Sequence, residues 1–267
     1  MNVLASIVVG FVQGVSEWLP ISSKTQVLIV SSYLFALPAA AAFAFGLFME
    51  LGSVGSATIY FRRDILSLLR DRKLLVYLVV VTVVTGIVGT PLYVISDRLL
   101  QNSYNVGVPM MILGVVLVFD GLFIRYSRRV ASRTLTDMRL KHYVLVGVAQ
   151  GLAALPGVSR SGMTVSTMLL LGVEPKSAFR LSYLAYIPAS LGGVLVTAIF
   201  SKSELRIGLD AVTIPGVLLA IVVACLVGLA VIAVLLRFAR KNTIYVITLS
   251  LGVLALVVGL LSALGVA

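Results

Sequence analysis

Apolar residues fill six runs of roughly 20 positions each, 41–61, 74–95, 107–125, 178–200, 212–237 and 243–265, with short polar segments between them. A helix of that length crosses the ~30 Å hydrocarbon core of a bilayer. Two further apolar segments, 2–38 and 141–175, are broken near the middle by a proline and a polar cluster: "QGVSEWLPISSKTQ" at 13–26 and "LPGVSRSGMT" at 155–164. Each half is roughly 15–18 residues, about 22–27 Å of helix, too short to span. Each broken segment is therefore predicted to be a re-entrant hairpin. Non-helical backbone at membrane depth is tolerated only where protein encloses it or a wet cavity borders it, so the breaks themselves point to a cavity. The pattern predicts an all-α polytopic membrane protein of six transmembrane helices and two re-entrant helical hairpins.

Composition removes the soluble alternatives. The chain is 60% hydrophobic and 12% charged, with a mean hydropathy of +1.12, more apolar surface than a soluble core absorbs. A signal peptide would be one apolar run followed by an ordinary domain, whereas here the runs recur to the last residues. The net charge of +11 would suggest a nucleic-acid partner in a soluble protein, but the spans exclude one. Fourteen of the 21 Lys and Arg sit in three loops, at 62–73, 125–141 and 237–241. The positive-inside rule makes those loops cytoplasmic and leaves the polar connections at 96–105 and 201–210 outside. Both termini then face out. Cys225, the lone cysteine, lies inside an apolar run; it has no intramolecular disulfide partner and is read as a packing residue.

The two broken segments are repeats. "GFVQGVSEWLPISS" (10–23) and "GVAQGLAALPGVSRSG" (147–162) share Gly, Gln-Gly, Leu-Pro and a following pair of serines. Gln13 and Gln150 are 137 positions apart, and Leu19-Pro20 and Leu155-Pro156 are 136 apart. Each hairpin precedes three spans, an odd number, so the second copy enters the membrane from the opposite side. The expected organisation is one membrane domain, 1–267, built as an inverted-topology repeat of 1–125 and 141–267. In such folds the broken helices meet near the midplane and aim half-helix N-termini at an anionic ligand.

The residues at the breaks suit a phosphate. Gln13 and Glu17 are i and i+4 on one helical face, and Ser22, Ser23, Lys24 and Thr25 open the following half-helix. Ser159, Arg160, Ser161 and Thr164 open the other, where unpaired backbone N–H groups and the positive dipole end attract anions. Arg160 can grip two phosphate oxygens in its planar fork. A carboxylate buried beside an arginine in lipid is costly unless it has work to do. The competing structural account makes the hydroxyls helix caps and pairs Glu17 with Arg160 or Lys24, but it leaves the duplication unexplained.

Together "EWLPISS" (17–23) and "PGVSRSGMT" (156–164) resemble the integral-membrane undecaprenyl-diphosphate phosphatase family, and the likeness continues through "LGS" (51–53) and "LRF" (236–238). The resemblance implies removal of one phosphate from a C55-type polyprenyl diphosphate in lipid-carrier recycling. It further implies a plasma-membrane location, a divalent cation (Mg²⁺ or Ca²⁺), and a site open to the outer face; homodimerisation is left open. Carried over by position, it matches Glu17, Ser22, Ser23, Ser159, Arg160 and Thr164 to the family's motif residues; with the reading of the breaks, Glu17, Ser23 and Arg160 are expected to be catalytic, Glu17 also the metal ligand, and Gln13, Ser22, Gln26, Ser159, Ser161 and Thr164 substrate-binding. Two positions depart from the family pattern: Gln13 replaces its first glutamate, and Thr25-Gln26 replaces its Gly-His. The only histidine, His142, is expected to face headgroups beside Lys141. Glu50 is either an extra ligand or a hydrogen-bonded neutral carboxyl, and Asp120 is expected to pair with Arg125 or to snorkel. Tyr33, Tyr60, Tyr93, Tyr126 and Tyr143 are expected in interfacial belts. The alternative function is a polyprenyl-phosphate transporter, in which the same anion site works without hydrolysis.

The orientation is testable with single cysteines in a Cys225→Ser background. Those in 62–73 and 125–141 are expected to be shielded from an impermeant thiol reagent in intact cells, and those in 96–105 to react; the opposite pattern inverts the topology.

Overall fold

A computed structural model describes residues 3–19, 22–101, 111, 114–115, 117–119, 121–122, 125, 132–155, 158–238 and 244–265. Eleven helices are delimited among them: α1 (Val3–Ser16), α2 (Ser23–Phe35), α3 (Ala39–Tyr60), α4 (Arg62–Ser67), α5 (Arg72–Gln101), α6 (Leu140–Leu152), α7 (Arg160–Leu170), α8 (Pro175–Phe200), α9 (Lys202–Val212), α10 (Ile214–Phe238) and α11 (Ile244–Ala263). A single 3₁₀ turn, Leu135–Asp137, precedes α6. The described residues between 111 and 125 are also helical. No strand occurs among the described residues beyond one isolated bridge, Arg133 to Val173.

Among the described residues, four helices are long and apolar enough to cross a membrane: α3, the Arg72–Arg98 part of α5, α8 and α10. They match four of the six expected spans. The third expected span and the breakpoint residues Pro20, Ile21, Pro156 and Gly157 fall wholly or partly outside the described residues, as do Asp120 and Tyr126. The chain is an all-helical membrane protein. The most apolar of the four, α10, is largely exposed on the protein surface, whereas the alanine-rich α3 is mostly buried. Lipid tails are as apolar as leucine, so sequestering apolar surface gives no gain there, and small residues that let backbones approach take the interior.

Each broken segment is a pair of short packed helices. α1 and α2 have 14 and 13 residues, and α6 and α7 have 13 and 11, all shorter than the 15–18 expected. Among the described residues of the breaks, 17–19, 22, 153–155 and 158–159 lie outside these helices, and Glu17, Ser22 and Ser159 are among them.

The pairs reach across the chain. α1 lies along α10, and α6 lies along α5, the two most extensive helix contacts. Glycines permit both. A Cβ on Gly10 would stand 2.4 Å from Ala220 O, and one on Gly14 2.8 Å from Ala224 O. In the other pair, a Cβ on Gly147 or Gly151 would come within 2.7 Å of Val84 or Val88. Gly10 and Gly14 stand 137 positions before Gly147 and Gly151, so the same small-xxx-small device serves both contacts.

One polar stretch behaves differently from its expectation. Residues 201–210 read as an external loop, yet α9 is helical throughout Lys202–Val212. Its buried positions are Leu205, Gly208 and Val212, a stripe at i, i+3 and i+7 that packs on α3, with Gly208 against Phe45. Charges on its other face lower its mean hydropathy without altering the 3.6-residue period. The tyrosines divide likewise. Tyr33 and Tyr60 are exposed, but Tyr93 and Tyr143 are buried: Tyr93 bonds Ser201 at 2.7 Å and Tyr143 packs edge-on against Tyr77.

Gly10→Ala is expected to lower stability by about 1–3 kcal/mol, because the added methyl must separate α1 from α10. Gly86→Ala, where a Cβ meets nothing within 4 Å, should leave the thermal midpoint in detergent unchanged.

Candidate active site

The end of α1 and the start of α7 are joined by one ion pair. Arg160, the first residue of α7, brings Nη2 to 2.7 Å from Glu17 Oε1, and both side chains are more than nine-tenths buried. Glu17 Oε2 accepts the Ser23 hydroxyl at 2.6 Å and the Gln13 amide at 2.9 Å. Gln13 also donates to Ser53 Oγ at 3.2 Å, which ties the group to α3. The i, i+4 spacing of Gln13 and Glu17 thus becomes a direct contact.

Two aromatic rings lie against the guanidinium. Its Cζ lies 4.1 Å from the centroid of Tyr186 and 5.9 Å from that of Trp18, within cation–π range. Trp18 is clamped edge-on by Tyr183 and Tyr186, and the Tyr183 hydroxyl bonds Trp18 O at 3.0 Å. With one Nη spent on Glu17, Arg160 Nε and Nη1 find no partner among the described residues, nor does Gln13 Oε1. A buried polar atom left unpaired costs about 1–3 kcal/mol, more when charged. Two donors of a buried guanidinium thus face away from every described acceptor.

The serines sit on the two helix starts. Ser22 has a left-handed backbone, φ 55° and ψ 84°, strained for a residue with a Cβ, and its hydroxyl lies 3.0 Å from that of Thr25. Ser159 caps α7 by accepting Gly162 N–H at 3.2 Å. Ser161 donates to Leu19 O at 3.1 Å, across to the other break. Glu17, Ser22, Ser23, Lys24, Val158, Ser159 and Arg160 line a small polar pocket. Beside it lies an apolar cavity of about 280 Å³ between α3, α5, α6 and α8.

The expected site residues divide three ways. Glu17, Ser22, Ser23, Ser159 and Arg160 converge on the polar pocket, and Gln13 stands behind Glu17. Ser161 and Thr164 turn their hydroxyls to the protein: Thr164 bonds Arg160 O at 2.9 Å and Ser182 Oγ at 2.6 Å. Gln26 is half-buried on α2, outside both pocket linings. His142, expected at headgroups, is buried and accepts Arg139 N–H at its own helix start through Nδ1, at 3.0 Å. Glu50 accepts from Ser190 and lies 3.9 Å from Lys24 Nζ. Sequence reasoning considered Lys24 only as a helix-start residue or a partner of Glu17, and it assigned no role to Trp18, Tyr186 or Ser190. Trp18 was visible inside the motif, and Tyr186 stands 136 positions after Glu50, the offset of the Leu-Pro pair.

The family model described as bacitracin resistance protein BacA matches residues 6–259. The chain belongs to this family. An undecaprenyl-diphosphatase of Sulfurisphaera tokodaii is 58% identical over 264 residues, covering 99% of this chain and all of that protein. Proteins of the same name from Saccharolobus solfataricus and Pyrobaculum islandicum are 48% and 43% identical, over 97% of this chain and 96–97% of their own lengths. The residues that line the polar pocket thus lie in a BacA-family chain matched along almost its whole length.

Thr164→Val is expected to lower the thermal midpoint while changing kcat/KM less than about threefold, because its hydroxyl is committed to Arg160 O and Ser182 rather than to the pocket. A large kinetic loss at unchanged stability would return Thr164 to the substrate.

Proposed function

We propose that this chain removes the terminal phosphate of a polyprenyl diphosphate of the undecaprenyl type, releasing the lipid monophosphate and inorganic phosphate. The observation that carries the reading is the buried chain Ser23–Glu17–Arg160, with two arginine nitrogens left for phosphate oxygens. Ser23 Oγ attacks the terminal phosphorus as its proton passes to Glu17 Oε2, and the bond to the bridging oxygen breaks, freeing polyprenyl phosphate. Water then hydrolyses the phosphoserine, giving inorganic phosphate and restoring the Ser23 hydroxyl. Arg160 and the N–H groups at the starts of α2 and α7 stabilise the equatorial oxygens, since phosphoryl transfer depends above all on positioning and electrostatics. The names of the relatives favour hydrolysis over transport.

A divalent cation fits the donor set. Glu17 and the unpartnered Gln13 Oε1 are the protein oxygens that would hold Mg²⁺ or Ca²⁺. Among the described residues no three or more His, Cys, Asp or Glu cluster together, which suits a cation whose remaining ligands are water and substrate phosphate. When bound, such an ion neutralises diphosphate charge.

The wider arrangement follows the same reading: six spans, two re-entrant hairpins, an inverted repeat of 1–125 and 141–267, and a plasma-membrane protein with its termini and site facing outward. The matched packing of α1 on α10 and of α6 on α5, through glycines at a common offset, supports the repeat.

Purified protein in detergent, given a polyprenyl diphosphate and Mg²⁺, is expected to release phosphate until a chelator is added. Ser23→Ala should lower the rate by at least ~10²-fold, the scale on which nucleophile and base pairs act. Arg160→Lys should fail nearly as fully as Arg160→Ala, because a point charge does not reproduce a planar fork. A silent wild type that still binds polyprenyl phosphate through Arg160 would replace hydrolysis with transport.

A further inference from the structure

The small polar pocket and the 280 Å³ apolar cavity share two lining residues, Lys24 and Arg160. A prenyl diphosphate has the same division of polarity, a charged head on a hydrocarbon tail. With the terminal phosphate in the pocket and the tail in the cavity, the phosphate nearer the lipid lies between these two cations.

They are also equivalent by sequence. Lys24 and Arg160 are 136 positions apart, as are Glu17 and Ala153. The contacts obey the same exchange: Arg160 reaches Glu17, and Lys24 Nζ donates to Ala153 O at 2.9 Å. Where the first repeat has a carboxylate the second has alanine. Arg160 is thus neutralised at hydrogen-bond distance, whereas Lys24 has only Glu50, at 3.9 Å and itself held by Ser190. Its side chain is 12% exposed, and an ammonium carries three donors, so the two contacts leave donor capacity at the mouth of an apolar cavity. A charge so placed is costly unless something anionic completes it.

We propose that Lys24 binds the phosphate that remains on the lipid, while Arg160 grips the one that is removed. Lys24 is then the residue that holds the monophosphate product, and Glu50 competes for its ammonium and eases release. This rests on the diphosphatase reading above for the order of the two phosphates. The assignment of Lys24 to a lipid-linked phosphate stands on the shared lining.

The experiment measures two ligands on purified protein in detergent: farnesyl phosphate, which has lipid-linked phosphate, and inorganic phosphate, which has none. Lys24→Gln is expected to weaken farnesyl phosphate about 10- to 100-fold, the scale of a charge-assisted hydrogen bond, and to shift inorganic phosphate less than about twofold. Lys24→Arg should recover most of the loss. Glu50→Gln should tighten farnesyl phosphate and slow turnover through product retention. Equal effects of Lys24→Gln on both ligands, or none on either, would overturn the proposal. So would Glu50→Gln weakening farnesyl phosphate as Lys24→Gln does, the mark of an ion pair that only holds α2 to α3. Thermal midpoints of all three variants separate unfolding from lost binding, and a folded Lys24→Arg that fails to rescue also counts against it. Lys24-dependent binding of farnesyl phosphate with no phosphate release from farnesyl diphosphate would retire hydrolysis and keep Lys24; hydrolysis with Lys24-independent product binding would do the reverse.

Discussion

The ion pair between Glu17 and Arg160 is the constraint around which the rest is arranged. Removing two charges from water carries a penalty of several kcal/mol per ion, and mutual attraction repays it only with good geometry and added hydrogen bonds. Those bonds are present on the acid: Glu17 also accepts from Ser23 and Gln13. On the base they are fewer, because Arg160 has one carboxylate contact, an aromatic face and two nitrogens with no partner among the described residues. The two partners of the pair are thus satisfied unequally.

The supports of that pair explain the choice of helices. Trp18 lies between Tyr183 and Tyr186, Tyr186 also bonds Glu50 O at 3.1 Å, and α8 thereby registers the first break against the second. Ser53 fixes Gln13 from α3. Gln13, Glu17, Trp18 and Arg160 are therefore each held by an element outside their own broken helix pair, and small residues along α1, α3 and α6 let those elements come close.

Much of this was legible in the sequence, for identifiable reasons. Length and hydropathy located α3, α5, α8 and α10, since a bilayer admits few other solutions. The repeated Gln-Gly and Leu-Pro marked both breaks, and residue type at the breaks named Glu17, Ser23 and Arg160. What stayed hidden depended on direction rather than identity. Ser161 and Thr164 carry the right groups, but their hydroxyls point into the protein, and no spacing rule reports that. Lys24 looked like one more residue of a helix start until its place between two cavities was known. α9 was lost to its charge, although its apolar stripe kept a helical period.

The glycine contact of α1 with α10 has a consequence for how the molecule is made. Gly10 meets Ala220, a partner synthesised some 200 residues later. Contacts so distant along the chain form slowly, after the loop between them has closed. Until α10 arrives, the first helix pair has no lasting partner for its glycine face, and Gln13 and Glu17 lack the enclosure that makes their polarity tolerable in a membrane. The α1–α2 pair is thus made well before its final surroundings exist, and the ion pair it carries is enclosed late in biogenesis rather than early.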